Sequence, residues 1–218
     1  MREALYMLDS KEIFIVPDFI SEGYFTREVI PRELELTGPT TFRDGKNLHY
    51  CDPVGIHPSM TGLILRRAAE TAPGIPPEES TLFIVGHGTG LNKNSTKAIR
   101  DQVDLIKTMP ENRFSAVHEA YMEEAPFIAD WAEAAETPNV VVVPFFIADG
   151  LHSYQDIPVM LGFEASEGEA ASQRDIFRQN PYHLKDKTLY YSSSIGTEAL
   201  MADVILDQIS AYQNLRIA

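Results

Sequence analysis

The chain has 218 residues, 44% of them hydrophobic, and a formal net charge of -14 from 32 acidic and 18 basic side chains. That carboxylate surplus speaks against a nucleic-acid partner, which needs a basic face to meet phosphates, and fits an acidic surface kept for solubility. No apolar run approaches the roughly 18 residues of a membrane span, the first ten residues lack the basic-then-apolar order of a secretory signal, and a single cysteine, Cys51, excludes an intramolecular disulfide and a cysteine-rich metal site. A protein of the reducing cytoplasm, with no membrane and no nucleic-acid partner, is expected.

A helix-like stretch at 3–8 leads into the apolar run Ile13-Phe-Ile-Val16. The first half of an internal repeat begins at the end of that run. Val16-Pro-Asp-Phe-Ile-Ser-Glu-Gly, continuing to Ile30-Pro31, aligns without gaps on Val143-Pro-Phe-Phe-Ile-Ala-Asp-Gly, continuing to Ile157-Pro158. The run before the second copy, Val140-Val-Val-Val143, is again short, β-branched and uninterrupted, as expected of a strand buried on both faces. A third matching piece pairs Asn47-Leu-His-Tyr-Cys-Asp-Pro-Val-Gly55 with Thr188-Leu-Tyr-Tyr-Ser-Ser-Ser-Ile-Gly196. Helical spacing of apolar residues comes after each, over 59–72 and 197–213.

Between the copies lies a segment rich in breakers, Ala72-Pro-Gly-Ile-Pro-Pro-Glu-Glu-Ser80. After it come a strand from Thr81 into Gly86, a helix over 95–109 capped by Asn94 or Ser95, a strand over 114–121 and a helix over 127–135. The first copy has no counterpart to this part. The predicted fold is therefore α/β: two similar lobes with four-stranded parallel sheets flanked by helices, the N-terminal lobe (1–75) incomplete and the C-terminal domain (80–218) complete. Either the natural chain begins in mid-domain or sequence precedes Met1.

Three polar groups fall at ends of predicted strands: His87 in Gly86-His-Gly-Thr89, Glu123, and His152 in the loop after Val143. Loops at the carboxyl ends of parallel strands open on one edge, where open α/β sheets bind ligands. Two imidazoles and a carboxylate form a nitrogen-rich set suited to Fe²⁺, Co²⁺, Ni²⁺ or Zn²⁺. With no thiolate and with open positions, the set suits an ion that arrives and leaves. His152 aligns with Phe25, and nothing in the first copy matches His87. One copy carries the chemistry and the other the scaffold.

Gly-His-Gly-Thr after a strand, Glu-x-x-Pro at Glu123–Pro126 and the block from Val143 through His152 to Ile157-Pro158 together resemble the class II tetrapyrrole chelatases. The nearest group is the sirohydrochlorin cobaltochelatases and ferrochelatases of cobalamin and siroheme biosynthesis. The resemblance implies ATP-independent insertion of a divalent metal (Co²⁺ or Fe²⁺, with Ni²⁺ a further choice) into sirohydrochlorin or a related tetrapyrrole, in a cleft between two such lobes. The metal is a substrate, and no organic cofactor is implied. It assigns His87 and His152 as metal ligands and proton acceptors and Glu123 as a third ligand or proton relay. Met122 is the position a gapless match would choose in place of Glu123, and Glu119 and Glu124 are substitutes. A second chain, in a homodimer, would complete the cleft wall that the short first lobe leaves open. Lys93, Lys97, Arg100 and Arg27 could offset the acidity for a substrate with many carboxylates. The rival from another class is a non-catalytic tetrapyrrole or metal carrier.

The remaining candidates read more blandly. His57 is expected to be structural, His118 a strand residue, and His49 and His183 ordinary polar positions. Asp156 caps or braces its loop, or else partners His152. Phe145 and Phe146 form core or cleft wall, and the acidic stretch from Phe163 to Glu169 a mobile loop.

Overall fold

The computed structural model describes residues 1–88, 93–163 and 175–217. Helix α1 (Arg2–Met7) leads to strand β1 (Glu12–Ile15), a π turn at Phe25–Val29 running into α2 (Ile30–Glu33), and a hairpin of β2 (Thr40–Arg43) and β3 (Lys46–Tyr50). Then come α3 (Met60–Thr71), β4 (Ser80–Gly86), α4 (Lys93–Thr108), β5 (Ala116–Tyr121), the short α5 (Trp131–Ala134) and β6 (Asn139–Pro144). A second π turn at His152–Asp156 runs into α6 (Ile157–Leu161). It is followed by α7 (Asp175–Arg178), a hairpin of β7 (Tyr182–Leu184) and β8 (Lys187–Tyr191), and α8 (Met201–Ile217). Thr89 and the acidic stretch beyond Phe163 lie outside the described residues.

The strands form two sheets, ordered β1-β3-β2 and β5-β4-β6-β8-β7. In the second, β5, β4, β6 and β8 are the four parallel strands expected, and β7 adds an antiparallel edge. In the first, β1 and β3 are parallel and β2 runs against β3. Neither antiparallel strand is among the predicted elements. Each belongs to a two-residue hairpin whose turn holds positive φ at both positions: Asp44 at 53° and Gly45 at 75°, Lys185 at 50° and Asp186 at 59°. That is the type I′ geometry, for which Asp-Gly is a common signature. Lys-Asp is not, so the second hairpin has no local mark in its turn residues.

All seven residues of β4 are buried. Its side chains alternate between two cores, as the pleat dictates. Leu82 and Ile84 join one core with Ile99, Val103, Ile106, Val141 and Val143. Phe83 and Val85 join the other with Trp131, Val140, Val142, Ile157 and Tyr191. A helix from the first copy covers the first of these cores: Met60, Leu63, Ile64 and Ala68 of α3 pack against the second sheet. In return the far end of α8 leans on the first sheet. Tyr212 Oη bonds to Thr40 Oγ1 at 2.8 Å and donates to the Pro39 carbonyl at 2.6 Å, and its ring sits 6.2 Å from Phe14 and 5.5 Å from His49. Each lobe is covered partly by the other's chain.

The repeat persists as physical contact. Gly55 N–H donates to the Phe19 carbonyl at 3.0 Å, and Gly196 N–H to the equivalent Phe146 carbonyl at 2.9 Å. A Cβ on Gly55 would lie 2.0 Å from the Ile20 carbonyl oxygen, and one on Gly196 1.9 Å from that of Ile147. Both glycines are there because the strand-to-turn backbone touches the preceding loop directly. Gly196→Ala should therefore cost at least ~2 kcal/mol, because the clash is with backbone that cannot rotate away. Gly62→Ala, in α3 with nothing within 4 Å of the added methyl, should stabilise by up to ~1 kcal/mol through helix propensity. Urea unfolding of the two variants checks both signs.

Candidate functional site

Strand β4 ends at Gly86 and the next residue is His87. Its position is held by backbone. The His87 carbonyl accepts N–H bonds from Met122 at 3.1 Å and Glu123 at 3.0 Å, so the turn after β4 is strapped to the turn after β5. Gly88 takes φ 68°, and a Cβ there would lie 2.6 Å from Tyr121 Cβ and 2.8 Å from Glu124 Cγ. Only glycine lets the two turns approach this closely.

His152 opens the second π turn. Single-turn π segments recur at functional sites, and this one is tied down from β8. Tyr191 Oη donates to the Ser153 carbonyl at 2.8 Å, Ser153 Oγ meets Ser194 Oγ at 2.6 Å, and Asp149 accepts the Ser194 N–H at 2.7 Å. Burial, with Asp149 nearby, keeps the Tyr191 phenol well above its ordinary pKa and so protonated as donor.

The two turns bring His87 and His152 together, with ring centroids 4.9 Å apart at an interplanar angle of 78°. Glu123 lies on the Nδ1 side of His87, its Oε2 at 3.6 Å. That is too long for a hydrogen bond and close to the edge of a tetrahedron with bonds of ~2.1 Å, about 3.4 Å. His152 Nδ1 is 2.7 Å from Asp156 Oδ2. Phe146 stands 5.8 Å from the His152 ring as an apolar wall, while Phe145 is in the core. Side-chain exposures of 35% for His87, 44% for His152 and 58% for Glu123 leave all three reachable from solvent. Among the described residues no three metal-binding side chains already surround one point.

The other carboxylates have different partners. Glu119 is bonded to Arg100 at 3.2 Å and accepts from Tyr121 Oη at 3.1 Å. Glu124 accepts the Thr96 hydroxyl, which ties it to α4, and Met122 is buried. Glu123 is the carboxylate of this loop that stands beside His87. Of the expected basic groups, Arg100 pairs with Glu119, Lys97 with Asp101 and Arg27 with Glu22, while Lys93 opens α4.

The remaining histidines have structural partners or open surface. His57 Nδ1 accepts the Ser59 N–H at 3.2 Å, His118 sits 3.4 Å from Glu136, and His183 is exposed on β7. His49 is more engaged than an ordinary polar residue: it bonds to Glu12 at 2.6 Å and Thr40 at 3.2 Å and stacks on Phe14 at 4.7 Å. The His49 bond, with a second one donated by Asn47 Nδ2 to Glu12 Oε1 at 2.7 Å, holds the Glu12 carboxyl below its usual range.

In the first copy the place of His152 is taken by Phe25, stacked 6.3 Å from Phe19. Thr26 and Arg27 of the same turn help line a cavity of about 560 Å³, with Glu22, Tyr50 and Asp52 among the other lining residues. Burial and neighbouring Asp52 push the Tyr50 phenol up to about 12.

Comparison with known proteins agrees with the motifs. The CbiX family model matches residues 1–71 and 81–212. A probable sirohydrochlorin cobaltochelatase of Halobacterium salinarum is 38% identical over 225 residues, spanning 95% of this chain and 74% of that protein. The structure of a CbiX described as the terminal enzyme of siroheme biosynthesis in denitrifying bacteria aligns over 97% of this chain and 80% of its own, at 26% identity and a TM-score of 0.64. A multi-domain protein of Deinococcus radiodurans with structural similarity to chelatases aligns over 95% of this chain but only 42% of its own, at 25% identity and a TM-score of 0.76. The chain belongs to the CbiX family of chelatases.

Proposed function

We propose that this chain inserts a divalent metal, cobalt or ferrous iron, into sirohydrochlorin or a closely related tetrapyrrole without ATP, using His87, His152 and Glu123. The observation that carries the reading is the meeting of two imidazoles from separate loops at 4.9 Å, beside a carboxylate, on the carboxyl edge of a parallel sheet. The relatives' names point the same way.

The reaction exchanges two pyrrole N–H protons for one M²⁺. A neutral imidazole can hold the ion before transfer and accept a proton as the ion leaves, because its basicity lies near neutral pH. Two such rings match two protons. Glu123 would shift between holding the ion and relaying a proton to solvent, as its exposure permits. Nickel would suit the same donors, and site chemistry alone ranks these ions only by the general divalent series.

Mixing purified protein with sirohydrochlorin and Co²⁺ or Fe²⁺ and following absorbance tests the proposal. His87→Ala and His152→Ala should each lower kcat/KM by at least ~10²-fold. A rate equal to the metal-only control would sink it. Tight tetrapyrrole binding without insertion would favour the carrier reading, which the smaller first sheet supports.

The carboxylate assignment has its own check. Glu123→Ala should leave unfolding free energy within ~0.5 kcal/mol of the parent while weakening Co²⁺ binding. Glu124→Ala loses the Thr96 bond and should cost ~1 kcal/mol, with Co²⁺ affinity kept. Denaturation and calorimetric titration of both variants would show the opposite pattern if Glu124 were the ligand.

A further inference from the structure

The π turn that presents His152 also carries Asp156, and the two side chains are joined at 2.7 Å between Nδ1 and Oδ2. Both are over two-fifths exposed, at 44% and 41%. A pair so open to water contributes little to stability, so its worth must be sought in what it does to the ring.

The first copy supplies an internal control. Its π turn, Phe25–Val29, has the same five-residue length and runs into the same Ile-Pro, Ile30-Pro31 against Ile157-Pro158. The second residue of each turn is anchored alike: Tyr50 Oη donates to the Thr26 carbonyl as Tyr191 Oη does to that of Ser153. In this matched frame Phe25 stands for His152 and Val29 for Asp156. The turn therefore forms without the carboxylate. Imidazole and carboxylate occur together in one copy, and both are replaced by apolar residues in the other.

We infer that Asp156 is a positioning residue for His152. Its carboxylate accepts the Nδ1 proton, which fixes the ring plane and the tautomer and leaves the Nε2 lone pair for an incoming ion or proton. Free imidazole side chains prefer the opposite tautomer, with the proton on Nε2, so an acceptor at Nδ1 is needed to hold this one, and a charged acceptor holds it most firmly. Carboxylate–imidazole–metal arrangements use the same logic. The inference rests on the reading of His152 as a ligand given under Proposed function.

Two variants test it. Asp156→Val installs the residue the first copy already tolerates, and Asp156→Asn keeps an acceptor but removes the charge. The primary readout needs neither metal nor activity: the His152 tautomer in the metal-free protein, by long-range ¹H–¹⁵N NMR at a pH where the ring is neutral. The parent and Asp156→Asn should show the Nδ1–H form, and Asp156→Val mainly the Nε2–H form. Calorimetric titration with Co²⁺ should then weaken by ~10–100-fold in Asp156→Val and recover in part in Asp156→Asn. KM for the tetrapyrrole should stay within about twofold, since only kcat depends on the oriented ring. An unchanged Nδ1–H tautomer in Asp156→Val would overturn the inference, and so would a Co²⁺ affinity within about twofold of the parent in Asp156→Val while His152→Ala weakens it. Loss of the tautomer in Asp156→Val with Co²⁺ binding insensitive to His152→Ala would uphold the orientation by Asp156 and overturn the ligand reading instead.

Discussion

Strand β4 is hydrogen-bonded on both sides to strands that run in its own direction, and this parallel pairing is the constraint that creates the site. Parallel strands end on a common edge, so the residues after β4, β5 and β6 are delivered to one place however far apart they lie in the chain. The cost is that both faces must be covered, since a parallel sheet cannot present one face to water. Every residue of β4 is accordingly buried. Its alternating side chains feed two separate cores.

Covering those faces explains the exchange of helices. Helix α3 comes after the first copy's strand in sequence but lies on the second sheet, and α8 comes after the second copy's last strand and ends against the first. The segment connecting the copies thus serves as a crossover rather than a free tether. Separating the lobes would expose Met60 and Ile64, both fully buried. At ~1.5–3 kcal/mol for each such side chain, the two lobes are held together by burial more than by surface ion pairs.

Duplication accounts for where the two copies agree and where they differ. Both copies keep the glycine that touches a carbonyl, the tyrosine that anchors the π turn and the Ile-Pro after it. These are frame contacts, and at the two glycines even an added Cβ would meet backbone. The positions projecting from the frame vary instead: imidazole and carboxylate in one copy, phenyl and isopropyl in the other. Chemistry changed where packing did not object.

Much of this was legible in the residues alone. Apolar β-branched runs, glycines at their ends and a gapless repeat are local signals, and they sufficed to place four parallel strands and to put His87 and His152 on one edge. The type I′ hairpin at Lys185-Asp186 was not legible, because its positive φ angles are imposed by register and not by residue type. Nor were the partners of Glu119, Glu123 and Glu124. Their order along the chain says nothing of partners, and only the folded structure shows that Arg100 and Thr96 engage two of them while the third stands at His87. Sequence by itself determined which side chains reach the sheet edge, because strand period and strand ends are set by neighbouring residues. Tertiary structure decided which of them meet and which helix covers which sheet, because those contacts join parts of the chain that no local pattern relates.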